Sequence, residues 1–168
     1  MKSIFKLLVV AFLSVAPLTA SAQSNVAHIN VQQLISEMPE VVAAQNELAK
    51  LEKDYTTQID NAFKEFQTKA QSYSSDAANQ TDVTNQARQK ELESMQTNLQ
   101  EFRDSAAQEL QKKQMDLMTP LLEKARNAIT KVGEEQGFNY VIDSSPNGGI
   151  ILANGKDLLA DVKKELGF

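Results

Sequence analysis

Few side chains in this sequence are of the types that usually carry out chemistry. The 168 residues include a single histidine and no cysteine. His28 has no second histidine or cysteine to complete a metal site, so we interpret it as a structural or surface residue. Glu134 and Glu135 are adjacent acids near a helix end, and adjacent residues of a helix do not face each other. They are therefore a poor acid–base pair.

Sequence motifs for phosphate binding and nucleophilic catalysis are absent as well. The chain has no Gly-x-x-x-x-Gly-Lys loop, no Gly-x-Gly-x-x-Gly fingerprint and no Gly-x-Ser-x-Gly elbow. The remaining acidic residues are scattered along polar helix faces. We therefore predict no catalytic residue, no metal and no cofactor, and we expect that the protein is not an enzyme.

The charge balance argues against nucleic acid as a partner. Without Lys2 and Lys6, which belong to the N-terminal segment described next, the chain has 15 basic and 22 acidic residues, a net charge of −7. Binding to a phosphate backbone depends on neutralisation by Lys and Arg. We expect no nucleic-acid partner.

The N-terminus has the pattern of a secretory signal. Lys2 and Lys6 precede a 12-residue apolar run, Leu7 to Leu18, and Ala20-Ser21-Ala22 forms a small-x-small cleavage site. A membrane-spanning helix would need about 20 apolar residues, which makes a membrane anchor the weaker alternative. We predict a signal peptide of residues 1–22, cleaved after Ala22, and export of the remaining chain.

A long segment without glycine or proline predicts the main structural element. Residues 40–119 contain neither breaker and are rich in helix-forming residues. Two apolar stripes at 3–4 spacing are separated by the polar stretch Ser74–Asn85. We predict two antiparallel helices of roughly 40 residues, each about 60 Å long, joined by a turn near Ala78 to Asp82. One uninterrupted helix is the alternative.

Local signals mark the ends of these helices. Asn30 and Gln33 resemble a capping box, Pro39 fits the first turn of the outgoing helix, and Thr81 or Asp82 is expected to cap the returning helix. Pro120 is expected to kink the returning helix where the hairpin ends. Three residues are interpreted as polar positions within the first apolar stripe: Gln45, Glu52 and Lys69.

The two ends of the chain are expected to form a small body. Val26–Ile29 is a strand candidate, while Phe138–Asp143 and Ile150–Ala153 are expected to pair as a β-hairpin. Asp157 is expected to cap a last amphipathic helix. A body of about 60 residues is marginal alone, and its open strand edges invite pairing with another chain. We predict an obligate oligomer of undetermined stoichiometry through Ile29, Val141, Ile142, Ile150, Ile151 and Leu152.

Aromatic residues of the hairpin are the candidate binding residues. Phe63 lies three residues before Phe66 and widens the apolar face beyond what a two-helix seam buries. An exposed aromatic residue on a long hairpin would contact an apolar partner, although packing inside the hairpin is the alternative. The candidate contact residues are Phe63, Phe66, Tyr73 and Phe102.

The sequence resembles the Skp/OmpH family of periplasmic chaperones. The resemblance covers the chain after residue 22 and is most specific in Pro120–Ala125, Ala128–Val132 and Glu135–Asp143. Ile29–Leu34 followed by Met38-Pro39-Glu40 resembles the family's first strand and the start of its hairpin. The resemblance implies an α+β, mostly α fold. A helical-hairpin tentacle arm, residues 39–119, would stand on a body, residues 23–38 and 120–168, that trimerisation completes as a small β-barrel.

The resemblance also implies a function. Family members are ATP-independent holdases that keep unfolded outer-membrane β-barrel proteins from aggregating in transit across the periplasm, so the resemblance implies that the exported chain works in the periplasm. The four aromatic residues above become candidate client-binding residues. The best-known members are basic with positively charged tips, whereas residues 70–87 of this chain contain no basic residue. We therefore expect weak or no direct membrane contact. A structural trimeric coiled-coil spacer or adaptor of the cell envelope is the alternative function.

Overall fold

A computed structural model describes residues 25–146 and 148–168, so the predicted signal peptide, residues 1–22, lies outside the described residues. A short strand and helix precede a long helical hairpin, and two strands and a last helix follow it. The elements are β1 Val26–Ile29, α1 Val31–Glu37, α2 Pro39–Asp76, α3 Asp82–Glu135, β2 Tyr140–Asp143, β3 Lys156–Asp157 and α4 Leu159–Leu166. The predicted α+β, mostly α fold is confirmed.

Helices α2 and α3 form the predicted antiparallel hairpin. Glu47 near the start of α2 pairs with Lys113 at 2.8 Å, and Lys69 near its end pairs with Glu91, so the two helices run in opposite directions. The 38 residues of α2 correspond to about 57 Å of helix. The alternative of one uninterrupted helix is wrong, because the chain reverses between Asp76 and Asp82.

The reversal of the hairpin is built from local polar groups. A short 3₁₀ helix, Ala77–Asn79, follows α2, and Thr81 then caps α3. The Thr81 Oγ1 accepts a hydrogen bond from the backbone N–H of Thr84 at 3.2 Å. The side chain of Asn85 donates to the carbonyl of Ala77 at 3.0 Å and closes the turn. The predicted turn and the predicted Thr81 cap are confirmed.

The predicted starts of α1 at Asn30 and of α2 at Pro39 are confirmed, with one correction for Gln33. Asn30 Oδ1 accepts from the Gln33 N–H at 2.9 Å, but the Gln33 side chain donates to Glu37, so the capping box is only half formed. Pro39 lies in the first turn of α2, and α3 continues through Pro120 to Glu135. Gly137 adopts a φ of 73° after α3, which suits glycine at a helix C-terminus.

The packing between α2 and α3 differs from the predicted seam. Gln45 and Glu52 are exposed, whereas Ala44 is buried and Leu51 is partly buried in their place. Only Lys69 of the three predicted polar positions lies partly buried between the helices, where Glu91 of α3 pairs with it. The polar interruption of the seam is therefore confined to its distal part.

The sheet has three parallel strands in the order β2-β1-β3. The predicted hairpin between Phe138–Asp143 and Ile150–Ala153 is wrong: β2 pairs with β1, and residues 150–153 are not a strand in this chain. After β2 the chain crosses the end of β1 and forms β3 on the opposite edge. The segment between β2 and β3 passes from one edge of the sheet to the other, so it cannot also pair with β2 as an antiparallel strand.

The hydrophobic core lies where the sheet, the short helices and the base of the hairpin meet. Its fully buried side chains include Leu34, Met38 and Val162, each at 0% exposure. Helix α4 is further held by ion pairs of Lys163 with Glu37 at 2.8 Å and of Lys131 with Glu165 at 2.6 Å. The remaining core residues are Ala27, Ile29, Val41, Ala125, Ala128, Val132 and Leu158.

Candidate functional site

An open groove runs along the hairpin beside Phe63 and Phe66. We call it the arm groove; its volume is about 540 Å³, and it is lined by Phe63, Phe66, Glu93, Gln96, Thr97, Leu99, Gln100 and Arg103. The Phe63 ring is 39% exposed and Leu99 is buried. The guanidinium carbon of Arg103 lies 6.0 Å from the centroid of the Phe63 ring. The groove therefore combines an apolar floor with a cation at its edge.

Tyr73 lies farther along the hairpin, in a cluster of charged groups that ties the two helices together. We call Lys69, Tyr73, Asp76, Arg88 and Glu91 the tip cluster. Glu91 accepts hydrogen bonds from the Tyr73 hydroxyl at 2.6 Å and from the Lys69 ammonium. Arg88 donates to Asp76 Oδ2 at 3.0 Å and covers the Tyr73 ring.

These contacts shift the pKa of four groups in the tip cluster. The hydrogen bond from Lys69 lowers the pKa of Glu91, and the hydrogen bond from Arg88 lowers the pKa of Asp76. The same Glu91 carboxylate raises the pKa of Lys69 and of the Tyr73 hydroxyl. The cluster thus favours the charged forms of its acids and of Lys69 and the neutral form of Tyr73.

Phe102 packs between the helices near the middle of the hairpin. Its ring meets Tyr55 edge to face, with the ring centroids 6.0 Å apart and the planes at 69°. The Tyr55 hydroxyl donates to Glu109, so this aromatic pair has a polar end as well. The structure brings Phe63 and Phe66 together at the arm groove and places Tyr73 and Phe102 in separate contacts between the helices.

A second groove lies in the body. We call it the body groove; it has a volume of about 660 Å³, and its apolar walls include Ile29, Ile35, Leu122, Ile129, Phe138 and Val141. Leu122 is 45% exposed at this groove. Gly133 forms part of the wall, and an added Cβ there would lie 2.8 Å from Val141 Cγ2. Any larger residue at position 133 would therefore force the Val141 side chain to shift where α3 approaches β2.

The residues predicted to mediate oligomerisation fall into two groups. Ile29 is buried and Val141 is half-buried beside the body groove. Ile142 and Ile150 are 39% and 37% exposed, while the loop residues Ile151 and Leu152 are 101% and 75% exposed. The single chain therefore leaves both an apolar groove and a prominent apolar loop uncovered.

His28 joins the two loops that flank β1. Its Nδ1 lies 3.3 Å from Ser144 Oγ, and its Nε2 lies 3.1 Å from the carbonyl oxygen of Gly155. These contacts fit the interpretation of His28 as a structural residue.

Across residues 25–146 and 148–168, no three histidine or acidic side chains are grouped so that they could hold a metal ion. In the same part of the chain, no helix is both long and apolar enough to cross a membrane.

Comparison with known proteins identifies the family. A family model described as "Outer membrane protein (OmpH-like)" matches residues 25–166, which span nearly all of the described chain. The chain belongs to this OmpH-like family. The predicted membership of the Skp/OmpH family is thereby confirmed.

Relatives of this OmpH-like chain include named chaperones. The chaperone protein Skp of Yersinia enterocolitica is 28% identical over 154 residues, covering 88% of this chain and 90% of that protein. The chaperone protein Skp of Pectobacterium atrosepticum is 20% identical over 151 residues, covering 90% of each chain. The OmpH-like family is therefore represented among curated proteins by chaperones that match this chain along most of its length.

The fold of the OmpH-like chain also matches a solved structure. The crystal structure of an OmpH-like protein from Caulobacter crescentus superposes with a TM-score of 0.76 and covers 84% of this chain and 83% of its own. At 12% identity, this match supports the fold alone.

Proposed function

We propose that this OmpH-like chain is an ATP-independent periplasmic holdase that binds unfolded outer-membrane β-barrel proteins and prevents their aggregation. The observation that carries the proposal is the long hairpin with an apolar groove left open on its side. The match to chaperones named Skp over about nine-tenths of both chains supports it. The signal pattern in residues 1–22 supports export.

The physical basis of the activity is the shielding of apolar strands. A strand of an outer-membrane barrel alternates apolar and polar side chains, and it exposes its apolar face and its backbone edges to water before it inserts. Phe63 and Phe66 would cover such a face at the arm groove. Tyr73 and Phe102 would contribute mainly by holding the two helices at a fixed separation. Since shielding needs no bond to be made or broken, no nucleotide is required.

The proposed assembly is a homotrimer completed by the body. The body groove and the exposed loop Ile150–Leu152 of a single chain are complementary in apolar character, and the outer edge of β2 is open in the described chain. Insertion of one chain's loop beside β2 of the next would cover both surfaces. Three chains related in this way would place three arms around a common space in which a client is held.

A light-scattering experiment tests the holdase. A urea-unfolded outer-membrane β-barrel protein is diluted into buffer with and without the purified chain, in the absence of nucleotide. We expect suppression of scattering that saturates near one oligomer per client. Unchanged scattering from a chain that is folded and oligomeric would contradict the holdase and favour a structural spacer in the cell envelope.

A further inference from the structure

The arm groove has charged groups of opposite sign at its two ends. Arg103 and Glu93 both line the groove on α3, ten residues apart along the helix. Ten residues of α-helix correspond to about 15 Å, the length of about four or five residues of extended chain. A bound strand segment would therefore span the groove from the acid to the cation.

Arg103 is available to a ligand. Its guanidinium lies over the Phe63 ring, and among the described residues no carboxylate lies within ion-pairing distance of it, whereas Lys69, Arg88 and Lys113 are paired. Several lysines of the hairpin are also without an ion pair in the described part of the chain, but none of them lines the arm groove, as Arg103 does. Because Arg103 already lies beside the Phe63 ring, a carboxylate of a ligand could bind Arg103 while an apolar side chain of the same ligand packs on Phe63.

The charge of the surrounding hairpin gives this cation a specific role. Residues 39–119 carry 14 acidic and nine basic side chains, a net charge of −5. An acidic ligand is therefore repelled by most of this surface. At the arm groove the same ligand meets Arg103 next to an apolar floor, so the attraction is local and directional.

We propose that the arm groove binds a short extended apolar segment that carries an acidic residue beside an aromatic or large aliphatic one, with the acid at Arg103 and the apolar side chain on Phe63 and Leu99. The inference deepens the proposed holdase function and depends on it. It assigns Arg103 a selectivity role: among the many apolar strands of unfolded clients, those with an adjacent acidic side chain engage the groove first.

The test compares two fluorescein-labelled synthetic peptides that differ in one group. Both alternate Val and Thr around a central Phe; one has Asp two residues after the Phe, and its twin has Asn there. Fluorescence anisotropy measures binding to the full purified chain. We expect the Asp peptide to bind about two- to five-fold more tightly than the Asn peptide, the range of an exposed ion pair. The preference should fade at high salt.

Matched variants locate the effect. R103Q should reduce the ratio of the dissociation constants of the Asn and Asp peptides to about one, and R103K should retain part of the preference for the Asp peptide. K90Q removes an equal charge from an exposed position outside the groove and should leave the preference unchanged. Equal binding of the two peptides by the unmodified chain, or an equal loss in K90Q and R103Q, would overturn the inference. If scattering of the unfolded barrel protein is still suppressed in that case, the holdase stands without a selective groove.

Discussion

The guanidinium carbon of Arg88 lies 4.7 Å from the centroid of the Tyr73 ring and covers one face of it. The Tyr73 hydroxyl is engaged at the same time by Glu91 across the hairpin. Both polar and apolar parts of this tyrosine are therefore used to join α2 to α3. By contrast, Phe63 is 39% exposed at the arm groove. Two aromatic residues of one helix thus have different roles, one in stabilising the hairpin and one facing outward.

The tip cluster predicts an acid-dependent stability of the distal hairpin. The pKa of Glu91 is lowered from 4.5 in the folded chain, mainly by the hydrogen bond from Lys69. A lowered carboxyl pKa contributes stability that is fully present above the unfolded pKa and is lost as the pH falls through the lower folded pKa. We expect E91Q to lower the Tm at pH 7, and the difference from the unmodified chain to shrink as the pH falls below 4.5.

The measurement is a series of thermal unfolding curves followed by circular dichroism. E93Q is the matched control, because Glu93 lies on the same helix and hydrogen-bonds within it to Gln89 rather than across the hairpin. A Tm difference for E91Q that is independent of pH would contradict the assignment to this carboxylate.

Removal of the exposed aromatic ring at the arm groove should weaken client binding. We expect F63S to raise the chain concentration needed for half-maximal suppression of scattering by about five-fold, because burial of a partly exposed Phe by a client contributes on the order of 1 kcal/mol. V83S is the control, since Val83 is 78% exposed beyond the turn and outside the groove. Similar activity of F63S and V83S would argue against the groove as a client site.

The exposed loop of the body should control assembly. We expect the unmodified chain to sediment as the proposed trimer and the double variant I151D/L152D to sediment as a monomer, because two charges cannot be buried in an apolar groove without partners. The helical signal in its circular dichroism spectrum should be unchanged, since both side chains are exposed in the single chain. V83D carries a similar change at the tip and should remain trimeric; dissociation of both variants would point to a general charge effect.

The core of the body should respond strongly to a cavity. Leu34 is 0% exposed in the cluster that joins α1 to α4. We expect L34A to lower the free energy of unfolding by about 2–5 kcal/mol at a fixed protomer concentration, measured by urea denaturation. S36A, on the exposed face of the same helix, should change it by less than about 0.5 kcal/mol. A small effect of L34A would contradict the conclusion that Leu34 lies in the core that stabilises the body.

Local features of the fold were predictable from the sequence because the residues that decide them are neighbours. Thr81 caps α3 through a residue three positions away, and Asn30 caps α1 in the same way. Pro39 begins α2 for the same kind of local reason. For Phe63 the sequence left two alternatives open, exposure or packing inside the hairpin, and the structure shows the residue 39% exposed.

Features that depend on distant residues were decided by the tertiary structure. The sequence could not reveal that β1 would take β2 and β3 on its two edges, because strand pairing depends on contacts across more than a hundred residues. Nor could it show that Ala44 and Leu51 replace Gln45 and Glu52 between the helices, since the opposing helix selects the buried face. Arg103 acquires its place over Phe63 only when α3 folds back on α2. Sequence determined which helices form and where they end, whereas tertiary packing decided which faces meet and which remain open.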